Sequence, residues 1–239
     1  MEIPITLEWI DKGGYGIPKA PAEIKQQLLV RAQNLAGALE RVVTPDHLCR
    51  YDFASSLAAN LWVCDAGCGN GYGTILLAKQ ARLAVGFDRH LPGLREARSS
   101  AVNSRCAFVA CDFAAISLHA EQFDMVVAFE VVEHVSNPLD FIRKLLGLVR
   151  PGGHVLFSTP NRAVISPDWV VPYNPFHMQE WDLAELQAAL VQLGLLATIY
   201  GEFALATVDP TDADFVSRGY ALSRKNIEAS DSFVVLLTR

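Results

Sequence analysis

Two carboxylates and an imidazole crowd into one short stretch, Phe129–His134, which reads FEVVEH. If these residues begin a helix, Glu130, Glu133 and His134 stand at i, i+3 and i+4 on one face. Such a convergence suits a hard divalent cation or a general base. Downstream, NPFHMQEW at Asn174–Trp181 supplies His177. A second chemical stretch, VCDAGCGNGYG at Val63–Gly73, puts Gly67, Gly69, Gly71 and Gly73 on alternate positions after a short apolar run. Glycines there permit positive φ and let a ligand approach the backbone closely.

The spacing excludes two common phosphate readers. In the pattern G-x-G-x-x-G the third glycine would fall on Tyr72 or Thr74, and no lysine follows to complete a phosphate loop. Asp65, just before the turn, suits a cationic amine and would repel a pyrophosphate. Asp88 ends the next apolar run, where a carboxylate can accept hydrogen bonds from both ribose hydroxyls. Asp112, in ACDFAA, is placed to meet an adenine amino group. An amine, a ribose and an adenine together describe S-adenosylmethionine.

Short β-prone runs alternating with amphipathic stretches supply the frame for these residues. The strands are expected at LWVCDA, RLAVGFD, CAFVACD, FDMVVAFE, HVLFSTP, LLATIYGEF and SFVVLLTR. Helices are expected near Gly73–Ala81, Leu91–Val102, Leu139–Leu148 and Leu183–Leu193. This order reads as an α/β, Rossmann-like, doubly wound parallel sheet, whose ligands bind off the carboxyl ends of the strands. The irregular stretch Ala204–Asp231 between the last two strands lets the chain return antiparallel. RPGG at Arg150–Gly153 reads as a tight turn. Before the sheet, a Gly/Pro loop leads into Ala22–Val42, whose apolar spacing is helical. Residues 1–60 are therefore an N-terminal helical cap segment and residues 61–239 the ligand-binding domain. Asn161–Glu180, rich in Pro, Trp and Tyr, is the expected substrate-covering loop.

Composition narrows the function. The chain has 239 residues, 51% of them hydrophobic and 19% charged, enough for a large core. No apolar run approaches the roughly 20 residues that cross a bilayer, and MEIPITLEWIDKGG lacks the basic start of a secretion signal. Five cysteines with no Cys-x-x-Cys pair argue against a disulfide framework and a zinc ribbon. A cytoplasmic protein with free thiols is expected. Net charge is -6 and no Lys/Arg cluster exceeds two residues, so the expected partner is a small-molecule or glycan acceptor and nucleic acid is disfavoured. The oligomeric state is left open.

The chain resembles the class I S-adenosylmethionine-dependent methyltransferases from about Leu61 onward, on VCDAGCGNGYG, VGFD, ACDF, FDMVVAFEVVEHVSNP and LVRPGGHVLFSTPNR. The resemblance implies seven strands in the order 3-2-1-4-5-7-6 with the last strand antiparallel. It also assigns Asp65, Gly67, Cys68, Gly69, Asp88 and Arg89 to S-adenosylmethionine. Cys111, Asp112 and Phe113 would surround the adenine, with Phe129 and Glu130 facing the cofactor from the next strand. The segment ERVVTPDHLCRYDFAS, Glu40–Ser55, looks like the opening of methyltransferases that accompany glycan synthesis, although Leu39 stands where a glycine is usual. In that likeness Arg50 and Tyr51 touch the methionine carboxylate and its surroundings; otherwise Tyr51 and Phe53 pack a cap helix while Arg50 is solvated.

The Glu-x-x-Glu-His spacing resembles that of ubiquinone-pathway O-methyltransferases and of small-RNA 2′-O-methyltransferases. In the latter a later histidine near a Glu-Trp pair completes a divalent-metal site. The likeness implies Mg2+ or Mn2+ on Glu130, Glu133, His134 and His177, with Glu133, His134 and His177 as the catalytic groups. Without a metal, His134 or His177 would take the proton. A Glu-His pair also follows this strand in methyltransferases that use no metal. The expected activity is O-methylation of a sugar, glycan precursor or related small molecule. The alternatives are metal-free O- or N-methylation of a natural product or quinone precursor, and a non-catalytic S-adenosylmethionine-binding module.

Overall fold

Near-continuous apolar runs become the strands of one sheet that is covered on both faces. The computed structural model describes residues 44–101, 105–112, 120–167, 172 and 174–239. The expected helix at Ala22–Val42, the loop before it, and Phe113 lie outside these residues. The strands are β1 (Trp62–Ala66), β2 (Leu83–Asp88), β3 (Cys106–Ala110), β4 (Phe123–Ala128), β5 (Val149–Pro160), β6 (Ala197–Ala204), β7 (Phe215–Ser217), β8 (Tyr220–Ser223) and β9 (Ser232–Thr238). Four of the five residues of β1 and five of the six of β4 are buried, as expected for strands at the centre of a covered sheet.

The sheet order is β3-β2-β1-β4-β5-β9-β6-β8-β7. β3, β2, β1, β4 and β5 run parallel, and β9 lies antiparallel between β5 and β6. With β9 as the last strand of the expected seven, the implied order and its antiparallel strand are present. The strand count is corrected to nine, because Ala204–Asp231 folds part of its length into the hairpin β7–β8 on the outer edge of β6. These strands have three and four residues, too few for an alternating pattern to stand out. Arg218 and Gly219 turn between them with φ of 56° and 81°, the left-handed pair that a two-residue hairpin turn requires. RPGG is likewise corrected: it lies inside β5, beside a register shift between Phe123 and Met125.

Helices α1 (Pro45–Leu57), α2 (Tyr72–Leu77), α3 (Leu91–Ser100), α4 (Pro138–Leu148), α5 (Arg162–Ile165) and α6 (Leu183–Gln192) cover the sheet. Proline begins α1 and α4, where its missing N–H goes unneeded, and Asn137 caps α4 by accepting from the Asp140 N–H. Asp182 and Glu185 close a capping box on α6. On one face Phe141, Ile142 and Leu145 of α4 and Leu186 and Leu190 of α6 pack on Val126, Val155, Phe157 and Val235. On the other, Tyr51 and Phe53 of α1 and Leu77 of α2 pack on Val63, Met125, Val127, Leu156 and Val234. The hairpin fixes α1 from its far side, since Ser217 and Arg218 both donate to Asp52, at 2.5 and 2.9 Å. Among the described residues, no helix is long and apolar enough to cross a membrane.

Candidate active site

The carboxyl ends of β1, β2, β3 and β4 open on one cleft of about 1230 Å³. Gly67, Asp88, Arg89, Cys111, Asp112, Glu130, Glu133, His134 and His177 all line it, together with His47 and Asn174. The glycine turn is pinned to β2: the Gly67 and Cys68 N–H groups donate to the Phe87 carbonyl at 2.8 and 3.0 Å. Gly67 has φ 82°, and a side chain there would run into Val131, 2.5 Å away. Asp88 accepts from the Gly69 N–H at 2.8 Å and the His90 N–H at 2.7 Å, one on each oxygen. A carboxylate has about four acceptor sites, so capacity for the two hydroxyls of a ribose is left.

Several residues expected to touch the ligand do not line this cleft. Asp65 is fully buried and does not line the cleft; its oxygens accept from the Tyr51 hydroxyl at 3.0 Å and the Thr74 hydroxyl at 2.6 Å. Burial pushes its carboxyl up to about 6, an effect these two bonds only partly offset. Tyr51 is 4% exposed, sandwiched edge-on by Tyr72 and Phe129, so both it and Phe129 are packing residues of the wall. Cys68 is buried against Leu94, Ala97 and Phe108. The cap-helix alternative thus holds for Tyr51 and Phe53, because the glycine turn leaves open the space that Tyr51 fills.

Arg50 is corrected on both readings, since it is neither solvated nor open to a ligand. It is 2% exposed and meets three carboxylates: Glu202 at 2.5 Å, Glu130 at 2.9 Å and Asp46 at 3.2 Å. A guanidinium so surrounded has no fork left to clasp a methionine carboxylate. Burial opposes its charge, but Glu130 and Glu202 raise its pKa overall. The two glutamates divide under this single cation. Burial works against ionising Glu130, yet Arg50, with His47 and Ser158, holds its carboxyl below the usual value. Burial pushes Glu202 up to about 7 in spite of Arg50.

The helix expected to begin at Glu130 is absent. Glu130 has φ 54°, and only Val132–His134 form a short 3-10 turn. Ser158 explains the bend, accepting from the Glu130 N–H at 3.0 Å while donating to its carboxylate at 2.7 Å. Glu130 thereby leaves the expected metal set, and among the described residues the ligand atoms that gather, all within 4.8 Å of one another, belong to Glu133, His134 and His177. Glu133 is 1% exposed, and among the described residues neither of its carboxylate oxygens has a hydrogen-bond partner. Burial, and then the charge of Glu130, push its carboxyl well above the usual value. His134 Nδ1 lies 2.9 Å from the Phe176 carbonyl, to which it donates, so Nε2 is its ligand atom. Burial and the neighbouring His177 push His134 down to about 4, leaving it neutral near pH 7. The backbone joins the two segments, the Met178 N–H donating to the Glu133 carbonyl at 2.7 Å.

Three residues escaped the sequence reading. Glu180 accepts from His177 Nδ1 at 2.6 Å, Ser166 donates to Glu180 at 2.6 Å, and Asn174 reaches His177 Nε2 at 2.9 Å. For Glu180 the signals were its place three residues beyond a histidine and in the Glu-Trp pair of NPFHMQEW, neither of which gave it a role. Glu202 escaped too, although a lone acid in the strand ATIYGEFA needs a partner.

Residues 64–157 match a family model described as a methyltransferase domain. A probable S-adenosylmethionine-dependent methyltransferase of Mycolicibacterium smegmatis is 38% identical over 135 residues, covering 55% of this chain and 51% of the relative. The ubiquinone biosynthesis O-methyltransferase of Vibrio vulnificus is 37% identical over 156 residues, covering 61% of this chain and 65% of the relative. The matched region thus spans about half to two thirds of the length of these relatives. The 1,6-didemethyltoxoflavin-N1-methyltransferase of Burkholderia thailandensis, solved with its acceptor and S-adenosylhomocysteine, shares the fold with a TM-score of 0.60 at 17% identity, covering 93% of this chain and 92% of that one. Over the matched residues, and in its sheet order, the chain is similar to the methyltransferase domain of S-adenosylmethionine-dependent methyltransferases.

Proposed function

We propose that this chain moves a methyl group from S-adenosylmethionine to a hydroxyl oxygen of a sugar, glycan precursor or related small molecule. Mg2+ or Mn2+ assists at Glu133, His134 and His177. One observation carries the reading: beside the strand ends suited to a nucleoside, a buried carboxylate with two unpartnered oxygens meets two imidazoles. Buried carboxylates without a partner are costly, and a cation there would supply the missing interaction. Two imidazoles and a carboxylate suit a first-row transition ion such as Mn2+ better than Mg2+, which prefers oxygen ligands.

In this reading Asp88 binds the ribose hydroxyls, Cys111 and Asp112 border the adenine, and the methionine portion approaches the backbone of the glycine turn at Gly67, which lines the cleft. A bound divalent cation lowers the pKa of a coordinated hydroxyl and orients it. The chain's own residues align the acceptor oxygen with the sulfonium methyl and keep water out. With Glu130 paired to Arg50 and the Glu133 carboxyl raised, the cleft sets Asp88, Asp112 and Asp140 against Arg89 and Lys144, a slight acidic excess that disfavours a phosphodiester. The likeness of Glu40–Ser55 to glycan-associated methyltransferases supports a sugar-like acceptor. Five free cysteines suit a reducing compartment, and we place the protein in the cytoplasm.

The test is transfer of labelled methyl to small-molecule and glycan fractions after exhaustive chelation, then with Mg2+ or Mn2+ restored. Activity lost and recovered is the expected result. Turnover undiminished by chelation would leave a metal-free O- or N-methyltransferase, whose support is the pairing of His177 with Glu180 as a base and its carboxylate.

A further inference from the structure

His177 is held by two neighbours whose hydrogen-bond roles can be worked out from the backbone. The Phe176 N–H is a donor without ambiguity, and it lies 3.0 Å from Asn174 Oδ1. That contact fixes the orientation of the Asn174 amide, so its Nδ2 faces His177 Nε2 as a donor at 2.9 Å. His177 Nε2 must then accept, and the ring proton of the neutral imidazole sits on Nδ1. Glu180 agrees from the opposite side of the ring, since its Oε1 lies 2.6 Å from Nδ1 and a carboxylate can only accept. Its other oxygen accepts from the Ser166 hydroxyl at 2.6 Å, and the Glu180 side chain is wholly buried.

We infer that Glu180 and Asn174 are positioning residues for the methyl-transfer site. Glu180 fixes His177 in the Nδ1–H form so that Nε2 is the atom presented to the cleft, and Asn174 occupies that lone pair until a ligand replaces its amide. Ser166 keeps the Glu180 carboxylate in place. The inference rests on the proposed role of His177 as a cation ligand. A carboxylate behind a ligating histidine sets the ring's orientation and raises its basicity, and losing one typically weakens metal binding about 10- to 100-fold. The two neighbours act in opposite senses: removing Glu180 weakens the ligand atom, while removing Asn174 takes away a competitor for it.

The experiment uses the full chain labelled with 15N-histidine, with His177 assigned through His177→Gln, and Mn2+ as the probe. Long-range nitrogen–proton spectra report the tautomer, and calorimetry with S-adenosylhomocysteine bound reports Mn2+ affinity. The wild type is expected to show His177 protonated on Nδ1. Glu180→Ala should scramble the tautomer and weaken Mn2+ binding about 10- to 100-fold. Glu180→Gln, which keeps an acceptor oxygen, should restore the tautomer and recover part of the affinity, and Asn174→Ala should bind Mn2+ at least as tightly as wild type. If Glu180→Ala does not fold, Ser166→Ala gives the same readings with a smaller expected shift. An unchanged tautomer and affinity in Glu180→Ala would overturn the inference and leave the cation reading intact. A fall in Asn174→Ala equal to that in Glu180→Ala would overturn it too, marking both as scaffold. If the wild type binds no Mn2+, the cation reading fails, and the tautomer spectra still decide what Glu180 does.

Discussion

Tyr51 donates its phenolic hydroxyl to Asp65 at 3.0 Å, and its ring fills the space that any side chain at Gly73 would need. One contact therefore joins the cap helix to the glycine turn. Tyr51→Phe would leave a fully buried carboxylate oxygen unpartnered, a loss of about 1–3 kcal/mol. Gly73→Ala would force the ring aside, at about 1–3 kcal/mol or more. Denaturant unfolding of both variants checks this, and unfolding free energies equal to wild type would remove Tyr51 as the link.

Asp65 also makes stability depend on pH in a stated direction. Its carboxyl is raised from 3.8 to about 6 by burial. A raised acid contributes stability that is full below its unfolded value and is lost as pH climbs through its folded value. Between about pH 4 and pH 6 the free protein should lose up to about 3 kcal/mol from this group. Unfolding free energies compared between wild type and Asp65→Asn across that window should diverge with pH. A constant difference would contradict the assignment.

Much of this site was legible because it is local. The glycine spacing, Asp88 and the strand-helix alternation are sequence patterns, and β1 to β4 formed where periodicity put them, while β5 begins earlier, at Val149. What was missed depends on pairings between distant segments. Arg50 and Glu202 are far apart in the chain, so nothing at position 50 announces that its guanidinium is already engaged. The bend at Glu130 depends on Ser158 of β5, and a helix drawn from local spacing cannot anticipate a hydroxyl from the neighbouring strand. The hairpin β7–β8 was hidden by strands too short to alternate and by a turn signal, Arg218–Gly219, weaker than an Asn-Gly pair.

Arg50 holds together β6, the turn after β4 and the cap helix. Arg50→Ala strands the buried Glu202 without its cation, leaves the half-buried Glu130 without its ion pair, and should cost about 3–5 kcal/mol. Arg50→Lys should recover only part, since an ammonium cannot fork between carboxylates. Glu202→Gln should behave differently: with the Glu202 carboxyl raised from 4.5 to about 7, the substitution is close to neutral at about pH 4 and stabilising at pH 8. Thermal unfolding at both pH values separates these outcomes, and a destabilised Glu202→Gln at pH 8 would contradict this division of charge.

Glu133 trades stability for a ligand atom. Its buried carboxylate lacks partners, so Glu133→Gln should stabilise the metal-free protein at pH 8 while lowering Mn2+ affinity at least about 100-fold, with S-adenosylhomocysteine binding preserved. Calorimetry with each ligand and an unfolding curve measure all three. Unchanged Mn2+ binding would exclude Glu133 as a ligand.

The account depends most on the nucleoside end of the cleft, where Asp88 fastens the glycine turn through the Gly69 N–H and keeps acceptor capacity for a ribose. Isothermal titration of the folded wild-type chain with S-adenosylhomocysteine tests this directly. Saturable binding at one site per chain, weakened about 10- to 100-fold by Asp88→Ala, is the predicted result. No detectable heat with wild type, or equal affinity in Asp88→Ala, would contradict it.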